Sequence, residues 1–170
     1  MTGVQTCALP ILKAFSLSAN KGLLAVFNAA DSDKAEGSFK VSDVKNLKGN
    51  TFAVYNYFSE EVQSATVKDT FTVSLSRMGY GLYYIAPLHK NFAAFGLINK
   101  YNAPATIISE YWNANKISIR LYEGGSFRGY SKLAPKLVMV NGKKTKFYFR
   151  NNLLDVLVPA SAKPLVTLQW

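Results

Sequence analysis

A chain of 170 residues suits one domain, which at this size buries about 70% of the surface that its unfolded form exposes. With 49% hydrophobic and only 18% charged residues, disorder is excluded, and no apolar run approaches the roughly 20 residues of a membrane-spanning helix. The formal charge of +10 comes largely from scattered lysines, which favours a solvated sheet face over a nucleic-acid or membrane partner.

Thr2 to Ile11 (TGVQTCALPI) has neither strand alternation nor a helical stripe, and it lacks the charged start and apolar core of a signal peptide. It resembles the conceptual translation of a short-read sequencing adapter. Residues 1–11 are therefore expected to be an artefactual or disordered segment, and residues 12–170 a domain cut from a longer protein. Cys7, the one cysteine, falls inside that segment. The remainder then has no disulfide, thiolate nucleophile or cysteine metal ligand, and cysteine usage assigns no compartment.

From Leu12 onward short strands alternate with turns. Gly22 to Asn28 (GLLAVFN) is a continuous apolar strand suited to a core covered on both faces. Ala29 to Lys40 is polar and loop-like, and Ser42 is placed to cap a single helical turn reaching Leu47. Thr51 to Phe58 and Thr70 to Ser76 alternate as half-buried strands, with a weaker strand at Val62 to Val67 between them. Gly81 to His89 and Phe92 to Asn99 are the most apolar stretches and are expected to be central. Ala105 to Trp112, Lys116 to Tyr122 and Ser126 to Ser131 follow. Asn141-Gly142 predicts a tight hairpin between Lys136–Val140 and Lys143–Arg150, because both central turn residues need positive φ. Asn151-Asn152 turns the chain into Leu153 to Val158, and Pro164 to Trp170 supplies the last strand. Turn signals at about 8–12-residue spacing, with no convincing long helix, predict an all-β fold: an antiparallel two-sheet β-sandwich.

Chemistry is sparse. His89 is the only histidine, follows a strand ending in Pro87, and suits a surface strand end better than a positioned base. One histidine and no cysteine beyond Cys7 leave no zinc set, so no metal is expected. Asp31, Asp33 and Glu36 fail the calcium-loop pattern, which wants glycine at the sixth position, where Glu36 stands. No phosphate-loop pattern is present, and nothing implies a cofactor. Glu60, Glu61, Asp69, Glu110, Glu123 and Asp155 sit at turns or element edges, so no catalytic pair is predicted. The basic segments GGSFRGYSK (Gly124–Lys132) and KKTKFYFR (Lys143–Arg150) do not match an RNA-recognition strand, and no nucleic acid is expected. In the second of them a two-residue period would set Lys144, Lys146 and Arg150 on one face. If the chain instead stacks on sugar rings as a carbohydrate-binding module, Tyr111, Trp112, Tyr122 and Tyr130 are the candidate positions. The competing use of these rings is core.

The order GLLAVFN, FAVYNY, LYYIAPL, FAAFGLINKYN, GSFRGYS and VNGKKTKFYF resembles the C-terminal β domain of the raffinose synthase and seed imbibition protein group, within glycoside hydrolase family 36. Phe27-Asn28, Ile85-Ala86-Pro87 and Phe92 to Leu97 carry the resemblance, which spans about Leu12 to Trp170. The chain departs from plant members in its short Ala29–Lys40 stretch, where those often carry a longer insert with cysteine. The resemblance implies α-galactoside hydrolysis or galactosyl transfer by two aspartates on an upstream (β/α)8 barrel. No position of this chain corresponds to those aspartates. It further implies a non-catalytic sandwich that packs on that barrel and covers apolar barrel surface.

Overall fold

The computed structural model describes residues 10–170. Most of the segment expected to be foreign therefore lies outside the described residues. Strands β1 (Ile11–Ser18), β2 (Lys21–Asn28) and β3 (Lys34–Lys40) come first. A 3-10 turn over Val41–Asp43 leads to β4 (Thr51–Asn56), β5 (Val62–Thr66) and β6 (Thr70–Ser76). Then follow β7 (Tyr80–Pro87), β8 (Phe92–Leu97), a 3-10 turn over Ala103–Thr106, β9 (Ile107–Asn113) and β10 (Lys116–Leu121). The chain continues through β11 (Gly125–Ser131), β12 (Leu137–Val140), β13 (Lys143–Lys144), β14 (Tyr148–Arg150), β15 (Leu153–Val158) and β16 (Leu165–Gln169).

All strand pairings are antiparallel. The fold is an all-β antiparallel sandwich, as alternation and turn spacing predict, but its strands are divided among four sheets where two were expected. Its four sheets are I (β1-β2-β7-β4-β5), II (β3-β6), III (β14-β15-β11-β8) and IV (β13-β12-β16-β10-β9).

The period of two sorts side chains between layers. From sheet I, Leu24, Val26, Phe52, Val54 and Ile85 pack with Ala35, Phe39 and Val73 of sheet II. On its other face, Tyr55, Leu82, Tyr84 and Ala86 meet Phe95, Tyr130 and Leu153 of sheet III. Sheet III then sends Phe92, Phe127, Leu154 and Val156 against Ile117, Ile119, Val138 and Leu168 of sheet IV. The sandwich is thus repeated, in the order II–I–III–IV. Sheets I and III are covered on both faces, which is why β7 and β8 read as near-continuous apolar runs. Each fully buried large side chain contributes about 1.5–3 kcal/mol.

Two turns match their sequence signals. Asn141 (φ 51°) and Gly142 (φ 78°) close the hairpin that pairs Val140 with Lys143. Asn151 (φ 51°) and Asn152 (φ 62°) do the same between Arg150 and Leu153.

Four local expectations are corrected. Ile11 belongs to the fold: it opens β1 and is 5% exposed. The β1–β2 turn, Ala19 (φ 47°) and Asn20 (φ 56°), lacks the usual glycine and is held by Asn20, whose side chain donates to the Lys48 carbonyl and accepts from its N–H. The polar stretch to Lys40 contains β3, because Ala35 and Phe39 alternate inward and seat on sheet I. The turn expected from Ser42 to Leu47 is a 3-10 turn over Val41–Asp43, with Ser42 inside it. Finally, Lys143–Arg150 is not one strand. β13 joins sheet IV and β14 joins sheet III, so Lys144, Lys146 and Arg150 share no strand face.

The Asp43 carboxylate accepts from the Lys40 N–H (2.9 Å) and from Lys13 Nζ (2.8 Å). Partial burial opposes its charge, but the two lysine donors outweigh that and hold its pKa below the usual value. A depressed carboxylate pKa stabilises above the unfolded value of about 4, and that contribution fades as pH falls through the folded value. Asp43→Asn should therefore cost up to about 1 kcal/mol at neutral pH. Urea melts should show that cost vanishing at low pH; a gap independent of pH would contradict the assignment.

Candidate functional site

A cleft of about 940 Å³ opens where edge strand β5 and neighbouring β6 approach β15 and the β14–β15 turn. Tyr83 and Phe71 line it, both partly buried and both packed on Phe39 at ring distances of 4.4 and 4.8 Å. Asn56, Gln63, Thr72, Arg150 and Asp155 supply polar walls.

Arg128 anchors the cleft. Strand alternation on β11 sends Phe127 toward sheet IV and Arg128 toward sheet I. The guanidinium, 10% exposed, donates from Nε to Asp155 Oδ1 (2.5 Å) and from Nη2 to Asp155 Oδ2 (3.1 Å). Nη1 donates to the Tyr55 hydroxyl (2.5 Å) and lies 3.4 Å from a Glu60 carboxylate oxygen. Burial acts to lower the Arg128 pKa, but the Asp155 pair overcomes this and raises it. Burial likewise raises the Tyr55 hydroxyl, against the pull of Arg128.

The other carboxylates on the cleft wall already have structural work. Asp69 accepts from the Thr66 N–H (2.6 Å) and hydroxyl (3.1 Å), and Glu61 accepts from the Ser59 hydroxyl (3.0 Å). The arrangement offers fixed donors and acceptors suited to binding. Among the described residues, no three His, Cys, Asp or Glu side chains are grouped to hold a metal.

Sequence reasoning named Asp155 only as an isolated acid, and Arg128 only within a basic segment. A signal was present. Arg in SFRGYS and Asp in LLDVLV are charges inside strands otherwise apolar enough to be buried, and buried charges need partners.

A second feature is an aromatic ridge on sheet I. Leu12 pairs with Phe27 and Phe27 with Tyr80 across β1, β2 and β7. Ring contacts run from Phe27 to Tyr80 (6.1 Å), to Phe58 (5.2 Å), to Tyr57 (5.2 Å) and to Tyr101 (5.8 Å). Tyr57 also touches Tyr84 in the core, whose hydroxyl donates to the Lys100 and Tyr101 carbonyls. Sheet III covers this face around Tyr84 but leaves Leu12 (58%), Phe58 (51%), Tyr80 (51%) and Tyr101 (70%) exposed.

The four candidate sugar-stacking positions do not assemble into one platform. Tyr111 (69%) and Tyr122 (59%) are exposed but have no aromatic neighbour among the described rings. Trp112 stacks on Trp170 at 6.2 Å and packs against the core between sheets III and IV. Tyr130 is 4% exposed and faces sheet I, so it presents no ring to a ligand. His89 is exposed at a strand end and lies over Trp112 at 4.4 Å.

The chain is 32% identical over 121 residues to stachyose synthase of Pisum sativum, covering 66% of this chain and 14% of that protein. It is 23% identical over 145 residues to probable galactinol–sucrose galactosyltransferase 5 of Arabidopsis thaliana, covering 82% of this chain and 18% of that protein. The chain thus spans less than one-fifth of the length of these relatives. The family described as raffinose synthase or seed imbibition protein Sip1 matches residues 12–158, a span that holds both the cleft and the ridge. The chain belongs to the raffinose synthase or seed imbibition protein family.

Proposed function

We propose that this chain is a non-catalytic C-terminal β-sandwich domain that packs on, and stabilises, a (β/α)8 catalytic barrel. The parent is an α-galactosidase-like or raffinose synthase-like glycoside hydrolase of family 36, acting on α-galactosides. One observation carries this reading: the exposed ridge in which Leu12 lies beside Phe27 and rings join Phe27, Tyr80, Phe58, Tyr57 and Tyr101, left uncovered by sheet III. Contiguous apolar surface of this kind marks an interaction face. The relatives' names support this substrate class, and their greater length leaves room for a barrel.

A hybrid tests the proposal. This chain is exchanged for the matching segment of the Pisum sativum stachyose synthase, with and without Phe58→Glu and Tyr80→Glu. The charged pair should lower the hybrid's melting temperature by several degrees, since each large apolar side chain at such a contact is worth about 1.5–3 kcal/mol. In the isolated chain, where both side chains stay half solvated, the same changes should move the melt far less. Equal melting of the two hybrids would remove the ridge as the docking face. The isolated chain should not hydrolyse a chromogenic α-galactoside. The alternative, an independent carbohydrate-binding module built on exposed aromatics, is weakened by the buried Tyr130 and the core-packed Trp112.

A further inference from the structure

We propose that the cleft beside β5 is a binding site for a neutral oligosaccharide, separate from the aromatic ridge. Its volume of about 940 Å³ falls within the range of small-molecule sites. The lining then selects the ligand class.

An anion is disfavoured. Although the whole chain carries +10, this wall holds four carboxylates (Glu60, Glu61, Asp69, Asp155) against two guanidiniums. One of those, Arg128, is already spent on Asp155 and Tyr55. A divalent cation is disfavoured because Asp155 and Asp69 would have to surrender existing donors. An apolar ligand would strand the Gln63, Thr72 and Arg150 groups without hydrogen bonds.

A sugar meets every constraint. Its hydroxyls both donate and accept, so they can bond to carboxylate lone pairs, side-chain amides and the Arg150 guanidinium together. The faces of its rings carry C–H groups that pack on aromatic side chains, which Phe71 and Tyr83 supply at the wall.

The walls are set in advance. Asn56 Oδ1 accepts the N–H groups of Phe58 (3.0 Å) and Ser59 (3.4 Å), fixing the turn that carries Glu60 at φ 55°. Asp69 clamps the β5–β6 turn through Thr66, and Asp155 is locked in a two-point pair with Arg128. Groups ordered before binding lose little entropy when a ligand arrives, which suits a weakly attractive, strongly hydrated sugar.

The test titrates the 170-residue chain with sucrose and raffinose, and separately with sodium sulfate and calcium chloride, following amide NMR shifts. Both sugars, or raffinose alone, should move Gln63, Thr72, Arg150 and Asp155 saturably, with a dissociation constant on the order of millimolar. Added salt should leave that constant within about 2-fold, because no charge is neutralised. Ser64→Trp, at an exposed position on the cleft wall, should fill the space and weaken binding at least about 10-fold while the melt stays close to that of the parent chain. Gln63→Ala with Thr72→Ala, both exposed, should weaken it by about 3- to 10-fold. Absence of shifts at saturating sugar overturns the proposal. So do shifts confined to the ridge, unchanged affinity in both variants, or tighter binding of sulfate or calcium at these residues. None of these outcomes depends on a barrel docking to the ridge.

Discussion

Arg128→Met should destabilise the chain by about 3–5 kcal/mol, nearer the lower figure, and lower its melting temperature by roughly 6–20 °C. The guanidinium is 10% exposed and makes three donations, two to Asp155 and one to Tyr55. Methionine fills much of the volume but leaves Asp155 with a charge and no counter-ion, and Tyr55 without its donor. Desolvation of the abandoned carboxylate sets the cost, more than loss of the pair itself. The Asp155 side chain keeps 35% exposure, so water meets part of that demand. Removing both charges, as in Arg128→Met with Asp155→Leu, should therefore recover most of the loss. A single-variant effect below about 1 kcal/mol would place the pair in the class of solvated surface bridges and sink this account.

Gly96→Ala should cost more than about 4 kcal/mol or abolish soluble expression. Gly96 has φ 105°, a conformation that strains an L residue by about 1–3 kcal/mol. The added methyl would also lie 2.1 Å from the Ala103 carbonyl oxygen and 2.7 Å from Thr106 Oγ1. Neither can retreat freely. The Thr106 hydroxyl donates to that same carbonyl (2.7 Å) and accepts the Leu97 N–H (2.9 Å), both inside the core. Gly96 also sits at the register shift between β8 and β11, one pair from Gly129 and directly across from Arg128. Disturbing it should tilt Arg128 away from Asp155. Soluble yield and a thermal melt check the prediction, and a near-parental melt would mean that the Ala103–Thr106 turn can move.

The cleft was legible only in fragments. SFRGYS and LLDVLV each hold one charge among core residues, but their sequence separation of 27 says nothing of pairing. Only the antiparallel register of β11 with β15, which sets Arg128 opposite Asp155, joins them. The third partner, Tyr55, is 73 residues away and comes from a different sheet. The sugar-stacking candidates failed for a related reason. Tyr111 and Tyr130 both lie in strands rich in aromatics, and local pattern cannot tell a ring facing solvent from one facing a second sheet.

Sequence alone determined which segments extend, β1 and β3 excepted, and where several of them turn. Phe71 to Leu75 alternate, Asn141-Gly142 and Asn151-Asn152 accept positive φ, and β7 and β8 are apolar on both faces, all consequences of local sterics and local hydrophobicity. The tertiary structure decided how those strands are dealt among four sheets, why β13 and β14 part company, and which rings remain uncovered on sheet I. The physical reason is that alternation records that a face must leave water without recording what covers it. That choice belongs to contacts between residues far apart in the chain, where volume, register and the pairing of Arg128 with Asp155 must be satisfied together.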